Sequence, residues 1–347
     1  MQLLIDLAAN YGLFLAKTAT LVIAALLIIG TAVSSIAAAR AEKKSNLKVE
    51  RINERLTQLA DTLAGAMDSK ADAKKRAKKR KAEAKKRAKQ TQPDDVSRLF
   101  VLEFDGDIRA SAVEPLRESI NALLQVATEH DEVLLRLESG GGLVHSYGLA
   151  ASQLDRLRQA GITLTVSVDR VAASGGYMMA CVGQRIVSAP FAIIGSIGVV
   201  AQLPNFHRWL DERHIDVELH TAGDHKRTLT MFGDNTDADR EKFRQELDDT
   251  HGLFKNFVAE HRPGLDIDAV ATGEHWYGRQ AIDLQLVDEI ATGDDLMLAA
   301  AKADRPVYAL THHKPGGLLS RLGGQASRAL ARLSYERGMA QARIDHH

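Results

Sequence analysis

One cysteine, Cys181, stands in a chain of 347 residues, which excludes an internal disulfide and a cysteine-rich zinc site. Set among Met178, Met179 and Val182, it reads as core. Aromatic residues make up 5% of the chain, too few for a surface on which nucleic-acid bases would stack. Net charge is also missing, because 45 Lys and Arg balance 45 Asp and Glu. The balance conceals an asymmetry. Twelve of the basic residues but only two of the acidic ones, Asp72 and Glu83, fall between positions 70 and 89, which leaves 33 basic against 43 acidic elsewhere. A cationic segment is attached to an acidic body. Hydrophobic residues, at 45%, are ample for a core, and the length allows one large domain with appendages or two domains.

Residues 18–39 run for 22 positions without a charge, between Lys17 and Arg40. About 20 apolar residues cross a bilayer core, so this stretch predicts a transmembrane helix. A cleavable signal peptide is the alternative, with Ala37, Ala38 and Ala39 imitating its cleavage site; against it, the apolar run is long and nothing basic precedes Lys17. Beyond the span, Val49, Ile52, Leu56, Leu59, Leu63 and Ala66 alternate three- and four-residue spacings, a heptad seam suited to a stalk that pairs subunits. The lysine block that follows is rich in alanine but has no apolar face. It reads first as a solvated helix or spacer, second as a ligand for anionic lipid, and only third as a nucleic-acid contact. Near the end of the chain, Leu318, Leu319, Leu322, Leu330 and Leu333 alternate with Arg321, Arg328, Arg332 and Arg337, the pattern of a basic amphipathic helix on a membrane; with five glycines there, a loose tail is an equal alternative. The expected organisation is an N-terminal segment (1–17), a membrane helix (18–39), a helical lysine-rich stalk (40–97), a folded domain (98–295) and a C-terminal tail (296–347).

Within the folded domain a unit of strand, glycine-bearing turn and helix repeats, which predicts an α/β fold with largely parallel strands whose loops converge at one edge. Strands are expected at 99–104, 133–137, 163–168, 185–188 and 215–220, helices at 115–127, 207–213 and 237–259, and a helix followed by a final strand within 276–290. Residues 186–204 lack charge, but Pro190, Gly195, Gly198 and Pro204 make them buried strand and turn rather than a second span. The stretch 162–181 is central. A buried strand passes through a polar break into a helix opening at Gly175, and this places Ser174 at a strand-to-helix corner. Such a corner exposes a hydroxyl, lets a substrate backbone approach over glycine, and points the helix's first N–H groups at the same place. The plainer reading is that Ser174 caps the helix and Gly175 and Gly176 permit close packing.

Acyl transfer needs a nucleophile, a base and two donors for the oxyanion. Three loops carry suitable groups: Gly140 to Gly142, the Ser174 turn, and the segment around Lys226. Main-chain N–H groups of Gly141 and Gly175 are candidate donors. The base remains open among His145, His207, His214, His220, His225 and Lys226; a lysine serves only where burial lowers its pKa. The plain reading of Lys226 is a surface lysine beside Arg227.

The runs Asp169 to Tyr177 (DRVAASGGY), Gly195 to Val199 (GSIGV) and Gly223 to Lys226 resemble the SppA family of signal peptide peptidases, and most nearly its membrane-anchored SohB-type proteases. The motifs occur in order, with the lysine 52 residues after the serine. The resemblance implies a ClpP/crotonase-like spiral fold and a Ser-Lys dyad, with Ser174 as nucleophile, Lys226 as general base, Ser196 orienting the lysine amine, Gly141 and Gly175 forming the oxyanion hole, and neither metal nor cofactor. It implies a serine endopeptidase of the bacterial inner membrane that cleaves signal-peptide remnants or other apolar peptides near the bilayer. A homo-oligomer is also implied, because some family members carry two copies of the domain and draw serine and lysine from different copies. One departure is Gly140, where the family usually has proline, which leaves the oxyanion loop less restrained. The related ClpP-type histidine is absent, since no histidine lies between Ser174 and His207. The rival readings are a crotonase-type acyl-CoA enzyme on the same fold and a non-catalytic membrane scaffold. Arg40, Lys43, Lys44, Lys48, Arg51 and Arg55 follow the span, so the positive-inside rule puts the domain in the cytoplasm, whereas the family resemblance favours the outer face.

Overall fold

The computed structural model describes residues 47–67, 96–223 and 226–312, with scattered positions at 17–18 and 69–82. The predicted span at 18–39 apart from Thr18, most of the lysine block, and the amphipathic pattern after His312 lie outside the described residues. Among the described residues no helix is long and apolar enough to cross a membrane. One compact unit runs from Lys48 to Thr311.

Its centre is a set of short apolar runs that form parallel strands buried on both faces. Such strands read as continuous hydrophobic runs because helices cover them above and below. Strands β2 (Leu99–Gly106), β3 (Glu132–Ser139) and β4 (Thr163–Val168) lie side by side, with Val101, Leu102, Val133, Leu135, Leu164 and Val166 at most 2% exposed. Helix α2 (Val113–Val126) turns Leu116, Ile120 and Leu123 inward at helical spacing, and α3 (Val144–Gln159) does the same with Tyr147, Ala151, Leu154 and Leu157. The sheet continues through β6 (Arg185–Ser188) to β9 (Glu289–Ile290) on one side and through β10 (Val307–His312) to β1 (Leu47–Arg51) on the other.

The sheet branches at β3. Its first part, Glu132 to Arg136, pairs with β4, whereas its last residue, Ser139, pairs with Ala172 of β5 (Val171–Ala173). Strand β5 then pairs in parallel with β7 (Ile193–Gly195), and β7 pairs antiparallel with β8 (His275–Tyr277). The break in the chain at Asp169 and Arg170 moves it from the main sheet onto the branch. The carboxyl ends of β3 and β5 therefore meet, and where parallel strands part in this way their loops leave a crevice. The structure is a mixed α/β sheet fold of the predicted class.

Three elements differ from the sequence expectation. The heptad-spaced stretch does not stand off as a stalk: Leu47–Arg51 is a strand, and α1 (Ile52–Met67) packs Ile52 and Leu56 against Leu99, Val101, Leu134 and Val307, leaving Leu59 and Leu63 exposed. Asn53 fixes this junction, donating to the Arg305 carbonyl (2.9 Å) and accepting from Val307 N–H (2.8 Å). The strand at 289–290 is not the last, because α9 (Gly293–Lys302) and β10 follow it. Residues 215–220 form no strand. Their alternating Ile215, Val217 and Leu219 meet no neighbouring strand among the described residues and are exposed.

Candidate active site

Ser174 sits where β5 ends and α4 (Gly175–Ala180) begins, with φ 54° and ψ −121°. A non-glycine residue held there costs roughly 1–3 kcal/mol, so the surroundings must enforce it. They do so through the backbone: Ser174 N–H donates to the Gly195 carbonyl (2.8 Å), and Met178 N–H donates to the Ser174 carbonyl (3.0 Å). The residue occupies the N-cap position, yet its side chain makes no cap hydrogen bond. Capping is therefore not its role, and the strained turn presents a hydroxyl that the helix does not use.

The glycine loop lies directly against this turn. Gly141 has φ 87°, and a β-carbon on it would fall 2.7 Å from Ser174 Cβ, 2.7 Å from Gly175 N and 2.8 Å from the Ala173 carbonyl oxygen. Gly142 is as confined on its other side, where a β-carbon would meet the Ile108 carbonyl oxygen at 2.1 Å. The Gly141 N–H does not point into the crevice; it donates to Ser139 Oγ at 3.0 Å. Gly142 and Gly175, by contrast, both line the cleft at Ser174. The expectation that Gly141 donates to an oxyanion thus meets a competing acceptor in its own chain, and Gly142 is the loop glycine that faces the cleft.

That cleft is small, with room for about one water molecule, and its walls are Val144, Met178, Gly198, Val199, Thr250 and Phe254. Thr250 and Phe254 belong to α6 (Asp237–His261), which is fixed at its start by a capping box between Thr236 and Asp239. Its lining sets apolar side chains beside Ser174 and the backbone of Gly142 and Gly175. These wall residues were not singled out in the sequence. The available signal was the four-residue spacing of Thr250 and Phe254 on one face of a predicted helix.

Ser196 joins the site by strand register: Ala173 pairs with Gly195, the residue before it. Its φ of 50° is held by its N–H donating to the Glu274 carbonyl (2.6 Å). Lys226 is not gathered in. It lies exposed in an irregular segment where its N–H donates to the Gly223 carbonyl (3.2 Å), and among the described residues no hydrogen bond joins it to Ser174 or Ser196. Of the candidate histidines, His145, His214 and His220 are exposed, and His220 pairs with Glu218; His225 lies outside the described residues. Burial pushes the Cys181 thiol above its ordinary value, so this side chain is core rather than a second nucleophile.

Family models match nearly the whole chain in two parts: peptidase family S49 N-terminal over residues 6–154 and peptidase family S49 over residues 156–306. The chain is 57% identical over 245 residues to the probable protease SohB of Haemophilus influenzae, covering 71% of this chain and 69% of that one. It is 64% identical over 202 residues to the probable protease SohB of Buchnera aphidicola subsp. Acyrthosiphon pisum, covering 58% of this chain and 60% of that relative. A solved structure of a mutant 1510-N membrane-bound stomatin-specific protease in complex with a substrate peptide aligns over 65% of this chain and 98% of its own, with 14% identity and a TM-score of 0.42.

Proposed function

Because the chain belongs to peptidase family S49, in its SohB-type branch, we propose that it is a membrane-anchored serine endopeptidase in which Ser174 is the nucleophile and Lys226 the general base. The observation that carries this reading is the strained, uncapped Ser174 packed against a glycine loop and opening on an apolar cleft. The fold read this way is a ClpP/crotonase-like spiral, and the branch of the sheet at β3 supports it.

In the proposed reaction a peptide carbonyl lies over Ser174 with its side chain in the pocket of Val144, Met178, Val199 and Phe254. Ser174 Oγ attacks the carbonyl carbon as the neutral Lys226 amine takes its proton. The oxyanion is held by main-chain N–H groups of Gly142 and Gly175, which replace the sequence-based pair Gly141 and Gly175. Collapse breaks the C–N bond, and the lysine ammonium returns the proton to the leaving amine. Water, deprotonated by the same lysine, then hydrolyses the ester and frees Ser174. Preorganised donors of this kind contribute more than any other single element to such catalysis. Ser196, one residue beyond the register partner of Ala173, is placed to orient the lysine amine.

A lysine acts as base only when its charged form is destabilised, and desolvation is the usual means. In the single chain Lys226 is exposed, within a segment that also exposes Val200, Leu203, Phe206, Trp209, Ile215 and Phe232. Exposed apolar residues in this number along one segment suit an interaction surface. The proposal is therefore a homo-oligomer in which a neighbouring copy covers this segment and completes the dyad. Substrates are apolar peptides such as signal-peptide remnants, the span at 18–39 anchors the chain in the bacterial inner membrane, and the charges after the span put the domain on the cytoplasmic side. A crotonase-type acyl-CoA reading leaves the free, strained Ser174 hydroxyl without a purpose, and so does a scaffold.

The test is labelling of the full chain in membranes with a fluorophosphonate, together with turnover of an apolar peptide. Modification at Ser174, with both labelling and turnover abolished in Ser174→Ala, is the expected result. An unlabelled chain, or a Ser174→Ala variant that still cleaves, would show the reading to be wrong. Protease digestion of intact spheroplasts tests the placement, which fails if the domain is degraded from outside.

A further inference from the structure

Resting on the serine-peptidase reading, we infer that Tyr147 is a positioning residue for the oxyanion site, holding the glycine loop through Ser139 and the nucleophile turn from beneath Gly175. Tyr147 projects from the first turns of α3 and is fully buried. Its hydroxyl donates to the Asp107 carbonyl at 2.8 Å, which uses its one proton. The 2.5 Å contact between Tyr147 Oη and Ser139 Oγ must then be donated by the serine. Ser139 Oγ in turn accepts the Gly141 N–H at 3.0 Å. Every proton in the chain from Gly141 through Ser139 and Tyr147 to Asp107 has one direction. Burial holds the phenol above its ordinary pKa, so the donor stays protonated at working pH.

The far end of the chain is also fixed. The Asp107 carboxylate accepts from the N–H groups of Ser111 (2.8 Å) and Arg109 (3.1 Å), which closes the turn that carries its carbonyl. The same turn touches the glycine loop again, where Leu143 N–H donates to the Ile108 carbonyl (2.9 Å).

Three glycines leave the pair no room to shift. A β-carbon at Gly175 would lie 2.4 Å from Tyr147 Cγ; one at Gly106 would lie 2.5 Å from Ser139 Oγ and 2.6 Å from Tyr147 Oη; one at Gly176 would lie 2.5 Å from the Ser139 carbonyl oxygen. The tyrosine ring thus supports Gly175 sterically while its hydroxyl ties down Gly141, the residue before Gly142. Both proposed oxyanion donors are referred to one side chain. The loop needs this support, because Gly140 has no neighbour within 4 Å of its would-be β-carbon and no proline ring to restrict it.

The experiment compares full-length wild type, Tyr147→Phe and Gly106→Ala. Tyr147→Phe removes one oxygen and keeps the ring under Gly175, whereas Gly106→Ala pushes on the same pair without touching Ser174. We expect kcat to fall roughly 10–100-fold in both, less than the loss of a whole oxyanion donor, with KM within about 2-fold, labelling of Ser174 slowed in parallel, and faster amide exchange in the glycine loop. Tyr147→Phe turnover within about 2-fold of wild type, or a raised KM at unchanged kcat, overturns the positioning role while leaving the peptidase reading intact. A wild-type chain that is not labelled at Ser174 overturns the peptidase reading itself, and this role with it.

Discussion

A β-carbon on Gly141 would lie 2.7 Å from the β-carbon of Ser174, so the glycine loop and the Ser174 turn are in close contact and leave no space between them. Gly141→Ala meets that contact and a positive φ at once. We predict at least a 100-fold loss of turnover and a stability loss of about 1–3 kcal/mol, read by peptide hydrolysis and thermal unfolding. Gly140→Ala, one residue earlier, meets nothing within 4 Å and should stay within about 3-fold of wild type. Equal damage from both would mean that the contact at Gly141 is not what the site depends on.

Ser174→Ala and Lys226→Ala chains should each be inactive, because the proposed nucleophile and base would act as one unit. Lys226 is exposed in the single chain; co-assembled, the two variants should regain partial activity if neighbouring copies share the dyad as proposed. Mixed assemblies that form but remain inactive would place serine and lysine within one chain.

The start of β2 is held by Asp131, whose carboxylate accepts from Arg98 N–H (2.9 Å), Arg98 Nε (2.9 Å), Arg98 Nη2 (2.5 Å) and Thr128 N–H (2.8 Å). Burial opposes its ionisation, but the Arg98 side chain, the two N–H groups and the guanidinium charge together hold its pKa down at about 2. A depressed folded-state pKa contributes stability that is present above the unfolded value near 4 and is lost as pH falls through about 2. At roughly 1.4 kcal/mol per pKa unit, that contribution is on the order of 2 kcal/mol. Asp131→Asn should lower stability at neutral pH by at least this much and flatten the acid limb between about pH 4 and 2. Denaturant titration at several pH values checks it, and an unchanged slope would exclude Asp131 as a source of acid sensitivity.

Residues 47–67 belong to the compact unit through Asn53, which bridges two backbone groups around Pro306. Asn53→Ala should cost about 1–3 kcal/mol, since it leaves a buried strand N–H without its acceptor. Denaturant midpoints for this variant indistinguishable from wild type would mean that the Asn53 bridge does not stabilise the junction.

Phe254, 4% exposed, closes one wall of the cleft. Phe254→Ala should cost about 3–5 kcal/mol and, in folded protein, shift the preferred side chain at the cleaved bond toward larger apolar groups. A library of peptides varied at that position reads the change. Unaltered selectivity in the folded variant would remove this cleft from substrate recognition.

The sequence by itself determined the strand-turn-helix repeat, the parallel α/β class and the corner at Ser174, because each rests on local signals: apolar runs, glycine at turns and helical spacing. Predicted strands at 163–168 and 185–188 coincide with β4 and β6, and the long helix expected from 237 begins there. What the tertiary structure decided depends on partners distant in the chain. Val49 to Leu63 has heptad spacing, yet β10, some 250 residues on, recruits its first part into the sheet and its helix onto the core. Ile215 to Leu219 has strand alternation, yet among the described residues no strand lies beside it, and alternation without a neighbour leaves apolar side chains in solvent. The glycine loop shows the same division. Its composition announces close backbone approach, but only the packing of Ser139 over Tyr147 decides that the Gly141 N–H turns inward and leaves Gly142 facing the cleft. A hydrogen bond's direction is set by which acceptor the fold brings near, and that information is not local to any stretch of the chain.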